Sequence, residues 1–230
     1  MPGNGAERLS VIVPTLNEAE RIEPLLSGLS ALRRQGHEVI VVDGGSSDDT
    51  AQLAEGKADH VMTVPRGRAR QMNAGADQTQ GGVLLFLHAD TVLPEDAARL
   101  ILSGLAETGR AWGRFDVVID GRHPLLPVIA WFMNRRSRLT GIATGDQAIF
   151  VRRALFQSLG GFPEQPLMED IELCKRLLRT GPPLCLPQRV VTSGRRWETR
   201  GVWRTMMLMW RLRWLYWRGV PAERLAGMYR

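Results

Sequence analysis

The sequence predicts an α/β protein: one domain over residues 1–230, with a mainly parallel sheet covered by helices on both faces. Three observations point there. Four short apolar runs, at residues 9–13, 39–42, 61–64 and 83–87, show no polar alternation, the pattern of strands buried on both sides. The stretches between them carry apolar residues at helical spacing. A chain of 230 residues, 44% apolar, is of a size to bury one substantial core.

After the first run, "IEPLLSGLSALRRQG" puts Ile22, Leu25, Leu26, Leu29 and Leu32 on one helix face, with Pro24 expected in the first turn and Gly36 as the stop. After the second, "SSDDTAQLAEG" opens a short helix, with Ser46, Ser47, Asp48 and Asp49 as capping residues. "GRARQMNAGADQ" follows the third as another helix. Beyond residue 90, "AWGRFDVVID" and "QAIFVRR" read as strands, and "HPLLPVIAWFMNRRSR" and "MEDIELCKRLLRTG" as helices. The tail "GVWRTMMLMWRLRWLYWRGV" reads as a helix rich in tryptophan and arginine. Residues 9–90 are expected to form a nucleotide-binding half, 91–200 an acceptor half, and 201–230 an amphipathic helical tail. Right-handed crossovers bring the carboxyl ends of parallel strands to one edge, where open α/β sheets bind ligands.

Composition narrows the function classes. Cys174 and Cys185 are too few for a disulfide framework and lack metal-ligand spacing, which favours a reducing cytoplasm. The start "MPGNGAERLS" lacks the basic and apolar regions of an export leader, and no run of eighteen apolar residues suggests a membrane span. The net charge of +6 comes almost wholly from arginine, since Lys57 and Lys175 are the only lysines. Such a surplus suits phosphate, nucleic acid or an anionic membrane face, and charge alone does not choose among them; the expected partners do not include nucleic acid. No GxGxxG follows the first strand and no GxxxxGK[ST] occurs, so the Rossmann and P-loop phosphate sites are excluded.

The polar residues at the strand ends are more specific. "PTLNE" follows the first strand, Asp43 and "GGSSDD" the second, and His88-Ala89-Asp90 the fourth, while Arg66, Arg68 and Arg70 open the helix after the third. Glu18, Asp43 and Asp90 therefore meet several arginines on one edge. Carboxylates for ribose hydroxyls and a hard cation, with guanidinium groups for phosphates, suit a nucleoside diphosphate bound with a divalent ion.

In order and spacing, "LSVIVPTLNEAERIEPLL", "EVIVVDGGSSDDT", "GRARQMNAGA", "LLFLHADTVLP", "GDQAIFVRR" and "FPEQPLMEDIELCKRL" resemble a family-2 glycosyltransferase, as its small bacterial branch with His-Ala-Asp in place of the paired-acid motif. The resemblance implies a GT-A fold and inverting transfer of a sugar from a nucleotide diphosphate donor to a hydroxyl acceptor, with Mg²⁺ or Mn²⁺. It implies that Pro14, Thr15 and Glu18 form the nucleoside loop, that Asp43 contacts base or ribose, and that Arg68 and Asn73 approach ribose and diphosphate. Asp90 matches the metal ligand and Asp170 the general base. Arg196 and Trp197 match the end of the QxxRW motif of polymerising relatives, with Ser193 where its glutamine would stand.

Several residues carry more than one reading. Asp90 could cap the helix after Pro94, and Asp170, with Glu169 and Glu172, could serve the helix dipole. His88 reads as a nucleotide or substrate contact, as a packed histidine, or as a metal ligand. Asp146 and Gln147 line an acceptor pocket or make a turn. In the tail, Arg204, Arg211 and Arg218 form one stripe on an otherwise apolar helix, which suits core packing or a membrane interface. With the membrane reading, the protein sits peripherally at the inner face and the acceptor is lipid-linked. Two other function classes stay open: a sugar nucleotidyltransferase, which would place a glycine-rich loop where "PTLNE" stands, and a non-enzymatic nucleotide-sugar-binding module at the membrane.

Overall fold

The computed structural model describes residues 7–229; the no-leader expectation concerns Met1 and its neighbours, outside this range. Eight strands form one mixed sheet: β1 (Leu9–Thr15), β2 (Glu38–Asp43), β3 (His60–Thr63), β4 (Val83–Phe86), β5 (Thr91–Val92), β6 (Trp112–Asp120), β7 (Phe150–Arg152) and β8 (Leu184–Ser193), in the order β3-β2-β1-β4-β7-β6-β8-β5. The β3-β2-β1-β4 half is parallel. β7 enters antiparallel between β4 and β6, β8 runs parallel to β6, and β5 closes the edge antiparallel to β8.

Alternation along each central strand feeds two cores. Leu9, Val11 and Val13 of β1, with Val39 and Val41 of β2, pack under α1 (Ala19–Arg34) in a cluster that also holds Ile101 of α4 (Ala97–Thr108) and Ile129 of α5 (Leu126–Thr140). Ile12, Ile40, Val42, Leu84 and Phe86 face the other way, toward Met72 of α3 (Arg68–Gln78), Phe156 of α6 (Arg153–Ser158) and Leu173 of α7 (Glu169–Leu178). Burial on both faces is why these strands read as unbroken apolar runs. α3 lies so close to the sheet that a Cβ on Gly75 would sit 2.5 Å from Ile12 Cγ2. Both cysteines are free, and burial pushes the Cys174 thiol up to about 12.

Pro24 departs from expectation. α1 begins at Ala19, so Pro24 stands past the first turn on the exposed side, where water can serve the carbonyl left without an N–H partner. β8 is not legible as a strand because Pro187 and Gln188 fall in a bulge: its register with β6 jumps from Phe115↔Leu186 to Asp116↔Arg189. The tail folds as α8 (Arg195–Arg200), α9 (Val202–Trp217) and α10 (Ala222–Tyr229) after the short α2 (Thr50–Ala54) and the other helices of the sheet layers. Leu212 and Leu225 pack with Leu167, Met168 and Ile171, whereas the α9 tryptophans point outward.

Candidate active site

The strand ends gather the polar residues on one edge. Between β1 and β2 the loops lace together. The buried Asp43 carboxylate accepts from the Gly45 and Ser46 N–H groups at 2.9 and 2.7 Å, from the Ser46 hydroxyl, and from Thr15 Oγ1 at 3.3 Å. Ser46 Oγ accepts from the Asn17 N–H at 2.9 Å, and Asp48 Oδ2 from the Ala19 N–H at 3.2 Å, so these side chains cap the neighbouring loop. Pro14 lies beyond the last β1–β4 pair, Ile12↔Phe86, where the missing N–H costs no ladder bond to β4. The buried Gln71 of α3 ties both strand ends, donating to the Thr15 and Val42 carbonyls at 2.7 and 2.8 Å. Sequence reasoning passed over it, although a polar residue on the face of Ala69, Met72 and Ala76 was the available signal.

The centre of the edge joins the two halves. His88 Nδ1 approaches Asp146 Oδ1 at 3.4 Å, and the ring lies against Gly145, where a Cβ would meet His88 Nε2 at 2.3 Å. The Gly145 N–H donates to Asp170 Oδ2 at 3.1 Å, and the Ile171 N–H to Asp170 Oδ1 at 2.7 Å. Burial, and then the charge of Glu169, push the Asp170 carboxyl up to about 6 against the pull of those N–H groups and Arg68. Asp146 goes the other way: burial raises it, but the His88 hydrogen bond and the charges of His88, Arg68 and Arg196 together bring it below the usual range. Two neighbouring carboxyls with opposite shifts are the pattern expected where one takes a proton and the other holds charge.

Cations surround this pair. Arg68 Nη1 lies 3.5 Å from the buried Glu169. Arg196 stacks 3.8 Å over the Tyr229 ring, and burial followed by repulsion from Arg200 and Arg68 brings it down to about 10. Arg136 of α5, not anticipated from the sequence, has buried Nε and Nη2 atoms without hydrogen-bond partners; burial lowers it while Asp170 and Asp146 pull it back up. Glu18 pairs with Arg21 at 2.8 Å and with Arg195 at 3.6 Å, linking the end of β1 to the start of α8. Left-handed backbone at non-glycine residues occurs, among the described residues, at Asn17, Ala148 and Met168, all in loops of this edge.

Three expected contacts have other partners. The Asn73 amide is used twice on the Phe162 backbone, donating to its carbonyl and accepting its N–H, each at 2.9 Å. Gln147 is fully buried and donates to Asn134 Oδ1 and Ser137 Oγ at 3.3 and 3.0 Å, holding the Gly145–Gln147 turn from within. Trp197 packs against the main core. Asp90 is half-buried and has no ion-pair partner among the described residues; its carboxylate accepts, among those residues, only a 3.4 Å contact from Thr91 Oγ1. That leaves hard carboxylate oxygens available to a cation, yet no three His, Cys, Asp or Glu side chains among the described residues form a cation site. Asp90 fits a divalent ion as one anchor among ligands supplied by something else. A cavity of about 650 Å³ along α8, α9 and α10 and another of about 410 Å³ at the ends of β6 and β8 border this centre without containing it.

Comparison with known proteins bears on this edge. The family described as Glycosyl transferase family 2 matches residues 10–159. The poly-beta-1,6-N-acetyl-D-glucosamine synthase of Staphylococcus epidermidis is 34% identical over 221 residues, covering 86% of this chain and 54% of that protein. The chain thus spans about half the length of the curated relatives it matches. Among solved structures, S. aureus TarS 1-349 in complex with UDP-GlcNAc superposes with a TM-score of 0.66 at 20% identity, over 81% of this chain and 58% of that one. The mannosyltransferase PcManGT from Pyrobaculum calidifontis, in complex with GDP-Man and Mn²⁺, gives 0.63 at 24% identity, over 82% and 57%. At these identities the structural likeness shows the fold.

Proposed function

This chain belongs to glycosyl transferase family 2, and on that premise we propose that it moves one sugar from a nucleoside diphosphate donor to a hydroxyl acceptor with inversion at the anomeric carbon. The observation that carries this reading is Asp170, a half-buried carboxylate at the start of α7, raised to about 6 and oriented by two N–H groups beside the His88–Asp146 pair. Such a group is ionised at neutral pH yet more basic than an ordinary carboxylate, which suits a general base.

Asp170 takes the acceptor proton as the acceptor oxygen attacks the anomeric carbon and the diphosphate leaves on the opposite side. The Asp43 loop with Thr15, Pro14 and Glu18 receives the nucleoside. Arg68 and Arg196 stabilise the growing negative charge on the diphosphate. Asp90 would hold Mg²⁺ or Mn²⁺, which would supply charge screening for the leaving diphosphate. Asp146 and His88 shape the wall between donor and acceptor, and Asn73 and Gln147 hold that wall from behind. The reading keeps the reaction on the cytoplasmic side, in keeping with two free cysteines, and extends to a lipid-linked acceptor.

Turnover of UDP-N-acetylglucosamine and GDP-mannose with Mn²⁺, read as nucleoside diphosphate release, tests it. Asp170→Asn is expected to bind the same donor as wild type while its turnover falls by on the order of 10²–10⁴-fold. Wild-type turnover in Asp170→Asn, or pyrophosphate release from a nucleoside triphosphate and a sugar phosphate, would overturn it.

A further inference from the structure

The outer face of α9 is built for contact with something other than water. Trp203, Met207, Trp210, Trp214 and Trp217 are between 55% and 77% exposed. At 3.6 residues per turn they fall within an arc of about 80° and a length of about 21 Å. The opposite side of the helix buries Val202, Thr205 and Leu212, so the largest apolar side chains face out and the smaller ones face in. At about 150–250 Å² per aromatic, the stripe exceeds the scattered exposure normal for a water-facing helix.

Charge identifies the occupant. Arg204, Arg211 and Arg218 each follow a tryptophan of the stripe directly and are exposed along its flank, and Arg218 lies 5.4 Å from the Trp214 ring. Between residues 199 and 222 there are five arginines and no acid. Indoles at the level of the headgroups with guanidinium groups reaching phosphates are the chemistry of a helix lying in an anionic bilayer surface. No helix of the described residues is long and apolar enough to cross a membrane, so contact is in the plane. α5 has a second exposed apolar group in Val128, Trp131, Phe132 and Leu139, and Ile142 just after it packs against the cluster that holds Leu212 of α9.

We infer that the outer face of α9 docks the protein on an anionic lipid bilayer through this Trp/Met stripe and its arginine flank. The docking joins the surface to the active site. The 650 Å³ cavity is lined by Arg204, Met207 and Arg211 from α9, by Arg200, and by Arg196, whose charge also acts on Asp146. A membrane-borne acceptor then has a cationic path from the bilayer toward Asp170. That last consequence rests on the transfer reading above; the docking does not.

Flotation with vesicles of phosphatidylcholine alone and of phosphatidylcholine mixed equally with phosphatidylglycerol tests it at low and high salt. Wild type is expected to float with the anionic vesicles at low salt, more weakly at high salt, and to show quenching of tryptophan fluorescence by brominated lipid. Arg211→Gln with Arg218→Gln is expected to lower partitioning by on the order of 30-fold. Trp210→Glu with Trp214→Glu should abolish it while donor turnover in the absence of lipid is retained. No flotation of wild type at low salt, or a dimer dissolved by the tryptophan substitutions without lipid binding, would overturn the proposal. Because flotation needs no donor, its failure alongside intact turnover removes the docking and leaves the transferase reading standing. Flotation without turnover does the reverse.

Discussion

Replacing Asp170 by asparagine should make the protein more stable at neutral pH while disabling it. The folded carboxyl sits at about 6 against an ordinary 3.8, a difference of two units or about 3 kcal/mol. The sign follows from which form the fold disfavours. Burial and Glu169 oppose the charged form, so the destabilisation is absent below the ordinary carboxyl range, grows as pH rises between the two values, and is complete above about 6. Asparagine removes that penalty but has one carbonyl oxygen where the carboxylate used two, for the Gly145 and Ile171 N–H groups. Losing one of those acceptors costs about 1 kcal/mol. The net gain is about 2 kcal/mol at about pH 8, or about 4–8 °C in Tm for a chain of this size. At about pH 4 both proteins carry a neutral group there and the gain disappears. Differential scanning calorimetry across that range reads the effect, and wild-type turnover should show a rising limb near 6. An Asp170→Asn protein that melts at or below wild type at about pH 8 would refute the burial argument, because the charge would not have been disfavoured in the first place.

Other substitutions separate roles on the same edge. Asp90→Ala is expected to remove the Mn²⁺-dependent part of donor stabilisation in a thermal-shift assay, out of a total of about 3 kcal/mol at donor about 100-fold above its Kd; an unchanged Mn²⁺ response would move the cation elsewhere. Gly145→Ala puts a Cβ 2.3 Å from His88 Nε2, so the ring must leave Asp146, and turnover should fall by on the order of 10-fold or more with the circular dichroism spectrum unchanged. Normal turnover in that variant would show that the His88–Asp146 contact does not matter. Asn73→Ala strands the Phe162 N–H and carbonyl and should cost about 2–3 kcal/mol of stability with little change in donor affinity. The opposite outcome, weakened donor binding at unchanged Tm, would restore Asn73 to the ribose.

The parts of this molecule that could be read from sequence are those whose physics is local or periodic. β1 to β4 are buried on both faces, so their apolar runs are uninterrupted, and the polar residues that end them fall on one edge by topology alone. β8 is hidden because its bulge accommodates Pro187 and its outer residues are exposed. Side-chain partners across the chain are hidden for a different reason. Asn73 meets Phe162 across 89 residues, and the Gln147 amide turns inward to α5; spacing along the chain carries no record of either. Arg136 looks like any helix arginine until the fold buries two of its donors near Asp170. His88 carries three readings in the sequence, and the fold sets its ring against Asp146 and Gly145, residues more than fifty positions away.

The proposal that Asp170 drives a single displacement at the anomeric carbon is tested most directly by the configuration of the sugar first released. With an α-linked nucleotide sugar, Mn²⁺ and water standing in for the acceptor, proton NMR of the anomeric signal follows the product before it equilibrates. The account predicts the β anomer first, formed by wild type and not by Asp170→Asn. The α anomer appearing first would contradict it.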